Sequence, residues 1–194
     1  MNTTKLQTWF PTSIYYVENL ISEKDNYRLI EYIKWKTKEV KRGGENWLTD
    51  VYNTHHTHNI HKDNMFNNLS DAVTKQTSEF AKKLGSNYDY NIDESWWNSY
   101  NENDYQEYHY HADSYFSAVY WFTSPEGSGD LVFQSPLVPN ARPFKNLKSN
   151  PLTYECCNYN PPPCSLVIFP STLMHMVVRC KNKTPRITGA FNLV

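Results

Sequence analysis

The chain has 194 residues, a formal net charge of -1 and 15% aromatic side chains. That length suits one domain with a sizeable core, and so many Trp, Tyr and Phe exclude a disordered chain. The near-neutral balance argues against a nucleic-acid partner, no run approaches the apolar length of a membrane span, and the N-terminal stretch lacks the basic-then-apolar order of a signal peptide.

Residues 6–17 (LQTWFPTSIYYV) mix aromatic and β-branched side chains around Pro11 and predict an extended edge segment. Ser22, with Asp25 three residues on, resembles a capping box. It opens a helix carrying Tyr27, Leu29, Ile30, Ile33 and Trp35, which fades near Val40 before a Gly43-Gly44 turn. Residues 45–61 are polar and irregular. A second helix is expected over 64–84, with Phe66, Leu69, Val73, Phe80 and Leu84 as its buried face and Gly85 as its stop.

From Trp96 onward the character changes. Residues 96–100, 105–111, 115–122, 130–134, 165–170, 175–179 and 186–193 are short β-rich runs separated by turns, with Gly127-Ser128-Gly129 read as a hairpin turn. The proline-rich stretch 135–163 predicts a long connecting loop. Helices followed by strands predict an α+β chain, and the strands a sandwich or barrel. The expected organisation is one domain, 1–194, with an N-terminal strand and helices over 1–95 and a β core over 96–194. The four cysteines form no C-x-x-C pair. They read as reduced packing or loop residues, which fits the cytoplasm of a bacterium or of a virus-infected host cell.

His111-Ala112-Asp113 sets two metal-capable side chains two residues apart, a spacing that faces one side of a strand. His175, beyond the apolar run 166–169, can close a facial triad. Two histidines and a carboxylate leave open positions on the metal, which suits non-haem Fe(II). Arg186 and Thr188 share a strand face, and a guanidinium with a neighbouring hydroxyl is a plausible grip for a carboxylate. His109 also has ligand-like spacing but ranks outside the triad. Asn98, Tyr100, Ser117, Val119 and Trp121 lie on alternating strands and line either a pocket or the core. His55, His56, His58 and His61 form a second histidine group, open to three readings: a separate metal site, a substrate loop at the pocket mouth, or a solvated loop.

The order H-x-D, glycine turn, apolar strand before His, then R-x-T resembles the Fe(II)/2-oxoglutarate-dependent oxygenase superfamily. The likeness is closest to the prolyl-hydroxylase-like branch and to a group of short 2-oxoglutarate oxygenases. WFPTSIYYVENL resembles their opening segment, HYHADSYFSAVYWF the first ligand strand and its successor, SLVIFPSTLMHMV the strand leading to the distal histidine, and RITGAFNL the closing strand. The resemblance implies a double-stranded β-helix (jelly-roll, cupin-like) with N-terminal helices packed on one sheet. It implies Fe(II) held by His111, Asp113 and His175, and 2-oxoglutarate held by Arg186 with Thr188, Tyr108, Asn98 and Tyr100. Dioxygen is then the oxidant. His109, Trp121 and His58 are expected on the substrate side. The substrate class stays open between a peptidyl side chain, such as a prolyl one, and a small molecule. Two rival readings remain: a non-catalytic β-sandwich binding module, and a cupin-like metalloenzyme that does not use 2-oxoglutarate. Exposed aromatics would be compatible with a dimer, but the oligomeric state is not legible.

Overall fold

The computed structural model describes residues 4–5, 7–43, 48–137 and 150–194. Among the described residues, ten strands form two antiparallel sheets. In chain order they are β1 (Tyr15–Val17), β2 (Tyr52–Asn53), β3 (Ile92–Tyr100), β4 (Gln106–His109), β5 (Phe116–Trp121), β6 (Leu131–Gln134), β7 (Cys156–Tyr159), β8 (Leu166–Pro170), β9 (His175–Val177) and β10 (Arg186–Leu193). The larger sheet has the order β1-β8-β5-β10-β3-β2, and the smaller β4-β9-β6-β7. Two helices, α1 (Glu23–Lys36) and α2 (Asn67–Lys83), precede the main run of strands. Among the described residues no helix is long and apolar enough to cross a membrane.

The alternation of side chains along each strand decides where everything goes. On β10, Ile187, Phe191 and Leu193 join Trp97 of β3, Phe116, Ala118 and Tyr120 of β5, and Leu166 and Ile168 of β8 in one core cluster. The buried faces of α1 (Leu29, Ile33) and α2 (Leu69, Val73, Phe80) complete it. The other face of the same strands contributes Tyr100, Trp121, Val167 and Phe169 to a second cluster with Leu131 and Phe133 of β6 and Val177 of β9. The Phe133 and Phe169 rings meet edge-on at 4.7 Å between the sheets. The layers are therefore helices, large sheet, small sheet.

Local signals act as expected at the helix ends. Ser22 Oγ accepts from the Asp25 N–H and donates to the Asp25 carboxylate. Gly85, at φ +89°, terminates α2. One buried polar link ties α1 to the sheet: Asn26 donates to the Phe122 carbonyl and accepts from the Tyr120 hydroxyl, so both ends of its amide are satisfied.

Several expectations shift. β3 starts at Ile92, earlier than residue 96, and β1 and β2 pair into the large sheet, so the N-terminal part is woven into the β core. Strand β2 arises in the stretch read as irregular, and β7 arises inside the proline-rich loop, where Cys156–Tyr159 pair with β6. Neither strand has clear apolar alternation, and both are edges whose pairing is supplied by a neighbour. Gly44 and residues 138–149 of that loop lie outside the described residues. All four cysteines are free thiols.

Candidate active site

A cavity between the sheets is lined by alternate residues of the large sheet: Trp96, Asn98 and Tyr100 from β3, Ser117 and Val119 from β5, Arg186, Thr188, Ala190 and Asn192 from β10. The small sheet adds Gln106 and His109 from β4 and His175 and Val177 from β9, and His111 follows just after β4. Register explains the rows, since Arg186 pairs with Tyr100, Thr188 with Asn98 and Ala190 with Trp96.

His109, His111 and His175 converge, each offering one ring nitrogen within 4.8 Å of the others. His109 faces His175 directly in the β4–β9 register, with ring centroids 4.1 Å apart. The His109 Nδ1–H donates to the Glu107 carbonyl at 2.7 Å and the His175 Nδ1–H to the Leu173 carbonyl at 2.8 Å. A carbonyl can only accept, so each bond fixes the tautomer that leaves Nε2 with a lone pair. His111 Nδ1 lies 3.2 Å from the Asn192 amide nitrogen, and Ser117 Oγ, 2.9 Å from Ser171 Oγ, donates to Asn192 Oδ1. A half-turn of that amide keeps both bonds with donors and acceptors exchanged, and then His111 too presents Nε2.

Burial sets the charge state of all three. It pushes His111 down to about 4, with the like charges of His109 and His55 adding to the effect. It lowers His175 well below the ordinary imidazole range, again helped by His109, and lowers His109 despite the bond to Glu107. Three neutral imidazoles on one side of a cavity are a ready donor set for Fe(II), Zn(II) or Ni(II).

Arg186 lines the same cavity and is 1% exposed. Its guanidinium carbon sits 4.8 Å from the Tyr100 ring centre and 5.6 Å from that of Trp121. Its Nε and Nη1 have no hydrogen-bond partner, and no ion pair reaches it among the described residues. A buried cation without an anion costs several kcal/mol, on the order of the effective desolvation of an ion. A ligand carboxylate would offset that cost through two parallel hydrogen bonds. Burial already depresses the Arg186 pKa, while Tyr100 beside it is raised to about 12.

The family model described as "Putative 2OG-Fe(II) oxygenase" matches residues 94–192, just over half of the chain. The chain belongs to this oxygenase family. No curated protein matches the sequence. Solved structures agree in fold with this oxygenase. They include the viral collagen prolyl hydroxylase of Paramecium Bursaria Chlorella virus-1 in its 2OG complex (15% identity, 93% of this chain and 94% of that one, TM-score 0.60). A Pseudomonas putida prolyl-4-hydroxylase matches at 13% identity (93% and 92%, TM-score 0.64). HygX from Streptomyces hygroscopicus, with nickel, 2-oxoglutarate and hygromycin B bound, matches at 11% identity (94% and 82%, TM-score 0.62). Fe(II) and 2-oxoglutarate are thus the cofactor and co-substrate of this family, and the protein is an oxidoreductase.

Of the residues singled out in the sequence, His109, His111, His175, Arg186, Thr188, Asn98, Tyr100, Ser117 and Val119 line this same cavity. Asp113 does not join the histidine group: it is exposed, in a turn at 112–113. Strand β4 ends at His109, so the pleat that would have set residues 111 and 113 on one side is already lost, and His109 stands beside His111 instead. Tyr108 is 43% exposed and outside the cavity lining, because a register irregularity between Gln106 and His109 turns both of those inward and Tyr108 outward. Trp121 is buried against Arg186. His58 is tied to Asp63 at 3.0 Å, a carboxylate that also accepts from the Tyr32 hydroxyl, and its ring packs on Trp97 of the helix-side core. Gln106, which accepts from the Tyr100 hydroxyl, and Asn192, which accepts from Ser117, carry no sequence signal, since only cross-strand neighbours reveal them.

Proposed function

We propose that this chain is a single-domain Fe(II)- and 2-oxoglutarate-dependent hydroxylase on a double-stranded β-helix, with iron held by His109, His111 and His175 and the distal carboxylate of 2-oxoglutarate held by Arg186. The observation that carries the reading is Arg186, a buried guanidinium with two unpartnered nitrogens in the cavity that three neutral histidines share. Thr188 and Asn98, paired across β10 and β3, add neutral hydrogen-bonding groups beside it. The group His55, His56 and Glu94 has a two-histidine, one-carboxylate donor set, but it lies outside the lining that includes Arg186.

When bound, Fe(II) and 2-oxoglutarate supply coupled oxidation: dioxygen and a substrate C–H bond give an alcohol, while 2-oxoglutarate gives succinate and carbon dioxide. The residues of the chain do the rest. Glu107 and Leu173 carbonyls orient two imidazoles, and the Asn192 amide, held by Ser117, orients the third. Tyr100 and Trp121 wall off Arg186 from solvent, which strengthens its grip on a carboxylate. Reduced cysteines and Fe(II) suit a cytoplasmic setting.

We assign the substrate to the peptidyl class, with a prolyl side chain first. Support comes from the likeness to two prolyl hydroxylases over nearly their whole length, and from the exposed Tyr108 and Tyr110, the chain neighbours of His109 and His111. A small molecule is the second reading, favoured by the likeness to HygX.

Anaerobic titration with Fe(II) and 2-oxoglutarate, read by the visible charge-transfer band of the chelate, tests the assignment. Wild type gives the band, His109→Ala and His175→Ala abolish it, and Asp113→Ala keeps it. A band lost in Asp113→Ala but kept in His109→Ala returns the carboxylate to the ligand set. No band in folded wild type removes the oxygenase reading for a non-catalytic two-sheet module. Succinate release stimulated by a proline-rich peptide, and not by small amines or sugars, tests the substrate class.

A further inference from the structure

The second histidine group gains a partner that sequence spacing does not show. Glu94 lies on β3, in the same side-chain row as Trp96, Asn98 and Tyr100. After β2 the chain runs along the edge of β3 and is pinned there. The Thr54 N–H donates to the Trp97 carbonyl, the Trp97 N–H donates to Thr54 Oγ1, the Ser95 N–H donates to Asn59 Oδ1, and the His61 N–H donates to Ser95 Oγ. Between those anchors His55 and His56 meet Glu94. His55 Nε2 lies 3.6 Å from Glu94 Oε2, and His56 Nδ1 lies 3.9 Å from Glu94 Oε1. The two imidazole rings sit 3.7 Å apart. One ligand atom from each of the three residues falls within 4.8 Å of the others.

From this geometry we propose a second divalent-metal site of the Zn(II) class, formed by His55, His56 and Glu94. Two imidazoles and a carboxylate are a donor set that Zn(II) takes with one further position open, and a tetrahedral ion at its usual bond lengths sets neighbouring ligand atoms about 3.3 Å apart. The two histidine–glutamate separations, 3.6 and 3.9 Å, are close to that spacing, and all three ligand atoms lie within 4.8 Å of one another. Gly43 makes the approach possible: a Cβ there would come within 2.5 Å of the His55 carbonyl oxygen and 2.3 Å of Asn53 Oδ1. The site is one indole away from the main cavity. The His55 ring lies 4.4 Å from the Trp96 ring, which lines that cavity and stands 6.0 Å from the His111 ring. A metal here clamps the segment after β2 onto β3 and fixes Trp96, and its open position takes water or an oxygen donor arriving at the cavity rim. The inference does not depend on which metal the three-histidine cluster holds.

Zn(II) titration of the metal-free full chain by calorimetry, with thermal unfolding of every variant, tests it. Wild type binds two equivalents. Glu94→Gln and His56→Ala, both substitutions at partly exposed side chains, bind one, and Glu94→Gln keeps the Fe(II)/2-oxoglutarate band. His175→Ala loses the other equivalent and keeps this one. A second equivalent that survives Glu94→Gln, or one lost in Cys156→Ser instead, overturns the proposal. So does a wild type whose zinc is lost entirely in His175→Ala, which leaves Glu94 with its histidine contacts only.

Discussion

The two faces of the large sheet are made by the same strands and differ in kind. Toward the helices, Trp97, Phe116, Tyr120, Ile168 and Phe191 pack against α1 and α2, and the buried polar crossing of Asn26 with Tyr120 and Phe122 is hydrogen-bonded at both ends of the amide. Toward the small sheet, one residue further along each strand, stand Arg186, Thr188, Asn98, Ser117 and Asn192, with unpartnered guanidinium nitrogens among them. Period-two alternation lets one strand serve both purposes. The helix-side face is satisfied internally and supplies stability. The cavity-side face is incomplete without a ligand and holds function.

Substitutions on the two faces should therefore act differently. The largest loss of stability is expected from Phe191→Ala, which empties a fully buried position on the helix side. It should cost about 3–5 kcal/mol in denaturant unfolding. Arg186→Met removes a cation of similar length from the opposite face. Affinity for 2-oxoglutarate should fall on the order of 100-fold, about 3 kcal/mol, in the anaerobic titration. Stability of the ligand-free protein should hold or rise, because an unpaired buried charge is gone. A large loss of stability in Arg186→Met would break the comparison.

A pH series sharpens it. His109, His111 and His175 have folded pKa values below the unfolded imidazole value of about 6.5, so below that pH the unfolded chain binds more protons. Stability of the metal-free protein should fall as pH drops from about 6.5 toward the His111 value of about 4. His109→Gln should flatten that fall, since His109 both titrates and repels its two neighbours. The smallest effect is at the helix cap, where Ser22→Ala removes the bond from the Asp25 N–H and should cost about 1 kcal/mol in thermal unfolding.

Much of the fold was legible because its signals are local. The cap at Ser22, the stop at Gly85 and the alternation along residues 186–193 are each carried by neighbouring residues. β7 was hidden because Cys156–Tyr159 become a strand only when β6 supplies the pairing. In the site, Arg186 stood out as a cation on an apolar strand, and His111 and His175 as histidines flanking such strands. Tyr108 and Asp113 show where periodicity fails: an irregular β4 turns Tyr108 outward, and the end of that strand leaves Asp113 in a turn.

The amino-acid order by itself determined the two helices and the apolar strands, the membership that residues 94–192 carry, and which side chains on β3, β5 and β10 share a face, since these follow from local pattern and from the two-residue period of a strand. Only the tertiary structure decided which histidines meet, that Arg186 meets no anion among the described residues, and that Glu94 reaches His55 and His56. Those are facts of cross-strand register and loop path, and they depend on how far each strand runs before its pleat is broken.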